Sequence, residues 1–419
     1  MLSQNALKKG IKNTLGQRVG FSLLVLLLIF LLFIFISPFT KPQPPIKVGV
    51  LHALSGTMAT SEQPLVNMLQ LAVEEINQQG GLLGRPLELV MADTQSDAEI
   101  AAQQAQNLIV DQEVSVVFGC WTSSCRKAVR SVIEQHRHLL FYPVQYEGLE
   151  QSNHIFYTGS APNQQIVPGA RWAMQQFGPR VLLVGSDYVF PRVANMILRD
   201  MISANQGEVL AELYKPLGNQ QFDAVVDQIK ALNPDVILNT LNGDSNQAFF
   251  DALVSANLSD KPIVSFSVAE PELAAWGGGR LTQHYGVWGF FQSQTDPRTL
   301  ALVQAYQQRF GAGLAVSDPM IASYLGMQLW ARAVAYEQSV RPYQVNNVFL
   351  QSLSMPAPGS MVVVERTNRH LWRPLRIGHV QPDGQYKQVY VTERLIRPTP
   401  WPTYRSRHDW ENERARLGL

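Results

Sequence analysis

Cysteine is nearly absent from this chain, with two residues, Cys120 and Cys125, among 419. One close pair supplies neither a disulfide framework nor the four ligands of a structural zinc site, so both are expected as small, buried or half-buried side chains. Charge is scarce too: Asp, Glu, Lys and Arg make up 16% of the chain, the formal net charge is +1, and no run of like charge interrupts its middle. That balance argues against a reader of nucleic-acid phosphates. Catalytic signatures are missing. There is no G-x-S-x-G elbow and no G-x-x-x-x-G-K-[ST] phosphate loop, and the eight histidines are scattered without metal-binding spacing. The chain is therefore read as a non-enzyme without a metal or cofactor. The remaining enzymatic reading is an amide hydrolase with Cys120 or Cys125 as nucleophile and Glu147 or Glu270 as base, for which the sequence offers no local support.

What the chain does have is apolar surface. Hydrophobic residues make up 46% of it, enough for a large core, and its length suggests two domains of comparable size. The first 45 residues stand apart. Lys8, Lys9, Lys12 and Arg18 precede an apolar stretch from Val19 to Ile36, about the length needed to cross a bilayer at roughly 1.5 Å per residue. The positive flank favours an inside N-terminus and puts everything after Ser37 outside the cytoplasm. Phe35, Ile36, Ser37, Pro38 and Phe39 make a poor cleavage site, so an uncleaved anchor is expected rather than a signal peptide. Pro42 to Pro45 would then be a stiff spacer. No cysteine follows the apolar run to carry a lipid.

From Ile46 onward short β-branched runs alternate with helical patterns, the mark of an α/β protein with parallel sheets covered on both faces. IKVGVLH, PLELVMAD, VSVVFG and LLFYPV supply the strands of a first half; RVLLVGSD, EVLAELY, DVILNTL and PIVSFSV repeat the rhythm in a second. The segment Pro319 to Glu337 has apolar residues at helical spacing and is read as core packing. After Pro358, MVVVE, LWRPLRIGHV and QYKQVYV read as strands, with Asp383-Gly384 as a tight turn. The expected division is a first lobe of residues 46–158 and 292–360, a second lobe of 159–291 and 361–393, and a C-terminal extension from 394 to 419.

In open parallel sheets ligands bind outside the carboxyl ends of the strands, where loops and helix N-termini present backbone N–H groups. Four strand ends carry polar and aromatic clusters, two from each half as a cleft requires: GCWTSS, YPVQYEG, GSDYVFPR and LNGDSN. Thr122 or Ser123 caps the helix after the first cluster, leaving hydroxyl and N–H groups for a carbonyl oxygen. Trp121 offers a flat face and one N–H donor, suited to planar amides. Tyr146 and Glu147 follow a proline at a strand end. Glu147 accepts hydrogen bonds only, so a ligand rich in N–H donors and without negative charge would satisfy it. Asp187, Tyr188, Asn242, Asp244 and Glu270 have the same character in the second half. An amino-acid ligand would need a cation for its carboxylate, and Arg192 is the only obvious one in these clusters.

GCWTSSCRKAV, YPVQYEG, YTGSAPNQQ, GSDYVFPR, LNGDSN and FSVAEPEL, in this order, give the chain from Ile46 to about Pro402 a resemblance to a known family. It resembles the urea-binding component of urea ABC transporters, kin of bacterial amide-sensing regulators and of branched-chain amino-acid binding proteins. The resemblance implies a type I periplasmic-binding-protein fold of two lobes joined by three crossovers. It also implies ligand contacts from Trp121, Thr122, Ser123, Tyr146 and Glu147 in one lobe, and from Asp187, Tyr188, Asn242, Asp244 and Glu270 in the other. Phe190 within GSDYVFPR favours urea over acetamide, because the amide sensors are expected to carry tyrosine there. Cys125 departs from the small residue expected at its position. The implied role is an extracytoplasmic, membrane-tethered protein that passes urea or a short-chain amide to an ABC transporter permease. The alternatives are an amide sensor that signals to a kinase and a branched-chain amino-acid binder.

Overall fold

A computed structural model of the chain describes residues 43–351 and 353–418. The expected membrane segment, residues 19–36, lies outside them, and among the described residues no helix is long and apolar enough to cross a membrane.

The alternation of apolar runs and amphipathic stretches folds into alternating strands and helices. The first stretch forms β1 (Ile46–His52), α1 (Ala59–Gln78), β2 (Leu87–Asp93), α2 (Ala98–Val110), β3 (Val117–Gly119), α3 (Ser123–Gln135), β4 (Leu140–Tyr142) and β5 (Ile155–Tyr157). The second forms α4 (Ile166–Phe177), β6 (Arg180–Ser186), α5 (Val189–Ala204), β7 (Glu208–Lys215), α6 (Asp223–Leu232), β8 (Val236–Thr240), α7 (Ser245–Ser255), β9 (Ile263–Ser265), α8 (Glu270–Trp276) and β10 (His284–Trp288). The remainder forms α9 (Pro297–Phe310), α10 (Asp318–Glu337), α11 (Pro342–Val348), β11 (Ser354–Ala357), β12 (Ser360–Glu365), β13 (His370–Trp372), β14 (Arg376–Val380), β15 (Tyr386–Val391) and α12 (Arg407–Arg416).

Two sheets result, of eight strands ordered β11-β12-β13-β5-β4-β3-β1-β2 and seven ordered β15-β14-β10-β9-β8-β6-β7. The strands at the centre of each are parallel, and β11, β12, β14 and β15 add antiparallel edges. Parallel strands need both faces covered, and β1 is buried along nearly its whole length. Helix α1 buries Leu65, Leu69, Ala72 and Ile76, a stripe at helical spacing. Helix α10 is buried on almost every face, as its apolar sequence requires. Gly119 allows β3 to lie against β1, since a Cβ there would come within 2.1 Å of the Leu51 carbonyl oxygen.

Both sheets reverse direction of growth at one point, between β1 and β3 in the first and between β6 and β8 in the second. Neighbouring connections leave to opposite faces at such points, opening a crevice at the strand ends. The two crevices face each other, and the lobes touch across them. Trp121 Nε1 donates to Asn242 Oδ1 at 3.2 Å, and Gln145 Nε2 donates to the Phe266 carbonyl at 2.9 Å and to Ser267 Oγ at 2.8 Å.

The chain passes between the sheets after β5, after β10 and after β13. The last passage corrects the expected boundary at residue 361, because β12 and β13 belong to the first sheet. LWRPLRIGHV is not one strand. Pro374 has no N–H to donate, and the run is cut there into β13 of one lobe and β14 of the other. Arg373 at the cut donates through Nη1 to the Thr158 carbonyl at 2.9 Å and through Nη2 to Asp318, while Arg376 Nε donates to the Gly289 carbonyl at 3.1 Å. Gln164 Nε2 reaches the carbonyls of Leu371 and Ile396, both at 2.8 Å, so the YTGSAPNQQ motif serves the hinge.

The C-terminal extension is more than surface. Trp410 is fully buried in the second lobe's core, and Arg405 pairs with Asp200 of α5. Leu149 N donates to the Pro400 carbonyl at 2.8 Å, and Arg414 Nη1 to the Leu149 carbonyl at 2.7 Å, so the tail also holds a loop of the first lobe. Trp410→Ala is expected to lower the unfolding free energy by about 3–5 kcal/mol, read from guanidinium denaturation. A loss below about 1 kcal/mol would mean that the tail docks without stabilising the body.

Candidate functional site

The turn after β3 builds the first wall of the cleft. Thr122 caps α3 by accepting the Cys125 N–H at 3.2 Å, so the N–H groups of Ser123 and Ser124, with no carbonyl a turn earlier, remain for an acceptor. Cys120 sits at φ +65°, in the left-handed region. That turn brings its Cα within 5.7 Å of the Cα of Cys125, and the two form a disulfide. The expectation of two separate small side chains is corrected on this point, because a left-handed residue followed by one helical turn folds a five-residue separation onto itself. Neither sulfur is then a thiolate nucleophile. Trp121, clamped between cap and disulfide, is only 3% exposed and hydrogen-bonds Asn242 of the other lobe.

Below this turn lies a buried ion cluster. Arg126 donates through Nε to Glu150 Oε1 at 2.9 Å, through Nη1 to Ser123 Oγ at 2.8 Å and through Nη2 to Glu147 Oε1 at 2.9 Å. The Ser123 hydroxyl donates to Glu147 Oε2. Burial works to raise the Glu150 carboxyl, but the adjacent charge and hydrogen bond of Arg126 overrule it and hold the group at about 2. The guanidinium lies 4.7 Å from the Tyr146 ring centre and 5.0 Å from that of Tyr142. Tyr146 stacks on Tyr157, and its hydroxyl bonds the Glu150 carbonyl and meets His370 Nε2. Ser123, Tyr146 and Glu147 thus have their polar atoms engaged inside their own lobe.

The second wall comes from β6, β8 and β9. Asp187 N still follows the ladder, donating to the Lys215 carbonyl at 2.7 Å. Its side chain is 42% exposed and accepts from Arg192 at 2.6 Å. Asp187 and the cation Arg192 thus pair with each other and are half-exposed. Tyr188, the next residue, turns in. Burial raises its phenol well above the usual range, and Tyr142, Glu147 and Glu62, all of the first lobe, push the same way. Asn242 Nδ2 donates to the Thr240 carbonyl at 3.2 Å and its N–H to Ser186 Oγ at 3.0 Å. Asp244 heads α7 without capping it and is half-buried, which raises its carboxyl. Gly243, at φ +60°, lies against the Thr57 carbonyl of the first lobe, which a Cβ would approach to 2.8 Å.

Glu270 begins α8 and is fully buried. Oε1 accepts from Gln292 N at 3.2 Å, and Oε2 has no partner among the described residues. Burial, with Asp318 and Glu272 adding, pushes its carboxyl up to about 8. Sequence reasoning passed over Arg126, Gln145 and the pair His52 and Glu62. Arg126 and Gln145 lie within quoted motifs, and His52 ends β1, so the strand-end rule applied to IKVGVLH would have found it.

Two lobes joined by three crossovers, with facing crevices at their topological switch points, define a hinged solute-binding protein. The family model "Periplasmic binding protein domain" matches residues 46–407, and the chain belongs to that family. It is 22% identical over 365 residues to the Leu/Ile/Val-binding protein homolog 6 of Brucella melitensis, covering 83% of this chain and 92% of that protein. A 120-residue stretch is 31% identical to the limonene hydroxylase of Geobacillus stearothermophilus, covering 29% of this chain and 22% of that protein's length. Among solved structures, the solute binding protein of an ABC transporter from R. palustris in complex with 4-hydroxybenzoate matches with TM-score 0.76 at 22% identity, over 84% of this chain and 98% of that one. LivJ from Streptococcus pneumoniae in complex with isoleucine matches with TM-score 0.74 at 18% identity, over 84% and 100%. The fold is that of type I periplasmic binding proteins.

Two outcomes follow from this geometry. Asp187→Ala should leave ligand affinity within about twofold, since it breaks only an exposed pair. A tenfold loss by calorimetry would place it in the cleft after all. Glu270 keeps a proton in the folded state that the unfolded chain releases above its ordinary value of 4.5, so its contribution to stability falls as pH rises from there to about 8 and is level beyond. Scanning calorimetry should show wild type losing ground against Glu270→Gln across that window; a constant gap would mean an ionised carboxylate throughout.

Proposed function

We propose that this chain is an extracytoplasmic solute-binding protein that closes around urea or a short-chain amide and delivers it to an ABC transporter permease. The observation that carries the reading is the absence, among the described residues of the cleft, of a cation turned to the ligand. Arg126 is engaged by Glu147, Glu150 and Ser123, and Arg192 by Asp187. The groups at the strand ends that line it carry no positive charge: the Trp121 ring, the first-turn N–H groups of α3, Tyr188, Asn242 and the half-buried Asp244. A planar ligand with one carbonyl and several N–H groups matches that set. Each of its buried polar groups left unpaired would cost about 1–3 kcal/mol. The disulfide fits an oxidising compartment outside the cytoplasm. Closure is favoured by contacts that only a ligand touching both lobes can make, and the closed form is what a permease would read.

The rival reading is a binder of carboxylates such as branched-chain amino acids. It is favoured by the Leu/Ile/Val-binding relatives and by neighbours holding isoleucine and 4-hydroxybenzoate. Calorimetric titration of the full-length chain in detergent with urea, formamide, acetamide, leucine and 4-hydroxybenzoate separates the two. Heat is expected from urea or the short amides and none from the carboxylates; binding of leucine alone would overturn the amide reading and keep the fold.

A further inference from the structure

His52 is the last residue of β1, at the switch point where β1 and β3 part, and is wholly buried. Its Nδ1 lies 2.7 Å from Glu62 Oε2, an oxygen that also accepts the Ala53 N–H at 3.0 Å. A carboxylate only accepts, so Nδ1 carries the hydrogen toward Glu62, and Nε2 is the ring atom left for a further contact. Among the described residues that nitrogen has no hydrogen-bond partner. Buried polar atoms are nearly always paired, and a bare one asks for an explanation.

Its surroundings supply one. His52 stands level with the Trp121 turn, since Cys120 N donates to the carbonyl of the adjacent Leu51 at 2.9 Å. The loop that follows it presses Thr57 against Gly218 and Gly243 of the second lobe, and Ser61, next to Glu62, acts to lower the buried Glu272 carboxyl of that lobe. Glu62 also adds to the field on Tyr188. Two further hydroxyls on the two sides of this contact, Thr57 Oγ1 and Ser245 Oγ, likewise lack partners among the described residues. The end of β1 that carries the histidine therefore lies beside the Trp121 turn and is followed by the loop that meets the second lobe.

The structure assigns His52 Nε2 as an acceptor for an N–H of the bound amide, with Glu62 as the positioning residue that sets the ring's tautomer; this rests on the neutral-amide reading of the cleft. The same lone pair repels a carboxylate oxygen, so the pair selects amides against amino acids as well as binding them.

Asparagine and glutamine divide the two ring nitrogens between them. His52→Asn keeps an N–H toward Glu62 but has no atom at the Nε2 position, whereas His52→Gln places an amide oxygen there and gives up the Glu62 bond. In calorimetric titrations of full-length protein with urea, His52→Asn is expected to raise Kd at least tenfold with a melting point near that of wild type. His52→Gln should stay within a few-fold of wild type. A structural role for the ring predicts the opposite order and would overturn the assignment. Should either variant fail to fold, ¹⁵N spectra of the wild-type histidine rings decide: Nε2 of His52 is expected unprotonated and shifting on saturation with urea. Urea binding with that resonance unmoved removes His52 from the site and leaves the amide reading intact. Leucine binding without urea binding removes both.

Discussion

A guanidinium taken out of water costs several kcal/mol unless its donors are paired, and Arg126 is wholly buried. Its partners come from two separate strand ends: Ser123 from the turn after β3, and Glu147 and Glu150 from the loop after β4. Removing any partner strands a charge in the interior, so the two loops hold one arrangement. Trp121 inherits its position from that arrangement, between the cap of α3 and the disulfide. The same loop carries Leu149, through which the C-terminal tail is tied down. One buried cation thus sets the first wall of the cleft and connects it to the last helix.

The hinge is built on a related logic with neutral and charged donors mixed. Arg373 and Arg376 draw the three crossovers together through backbone carbonyls, and Gln164 and Gln165 reach across to strands on either side. Because these bonds go to main-chain oxygens close to the pivot, they hold the lobes together while leaving the far lips to approach and separate. The lips meet through few direct bonds, chiefly Trp121 with Asn242 and Gln145 with Ser267. A ligand that bridges the lobes adds its contacts to these and so favours the closed form.

Much of the fold was legible in the chain. The apolar runs IKVGVLH, RVLLVGSD and DVILNTL became central parallel strands, and the clusters after them became the rims of the cleft. Trp121, Tyr188, Asn242 and Asp244 lie just after β3, β6 and β8. The reading was less selective for side-chain direction. Asp187 and Tyr188 are neighbours at one strand end, yet the first is exposed and the second partly buried. Glu147 and Ser123 look like ligand acceptors and donors until Arg126 is seen beneath them. His52 went unnoticed because a single histidine at a strand end has no local pattern to mark it.

Periodicity and strand-end chemistry are local properties, written within a dozen residues, and from them the sequence by itself determined the α/β class, the two-part organisation and the places where a ligand could sit. Which polar groups at those places remain for a ligand is set by partners far away in the chain. Arg126 claims carboxylates some twenty residues on, Asn242 meets Trp121 from the other lobe, and Pro374 sends one apparent strand into two sheets. The disulfide likewise waits on a left-handed backbone angle at Cys120 that nothing in its neighbours' identities announces. Those pairings were decided by the tertiary structure alone, because a buried charge or hydrogen-bonding group takes its role from what burial leaves within reach.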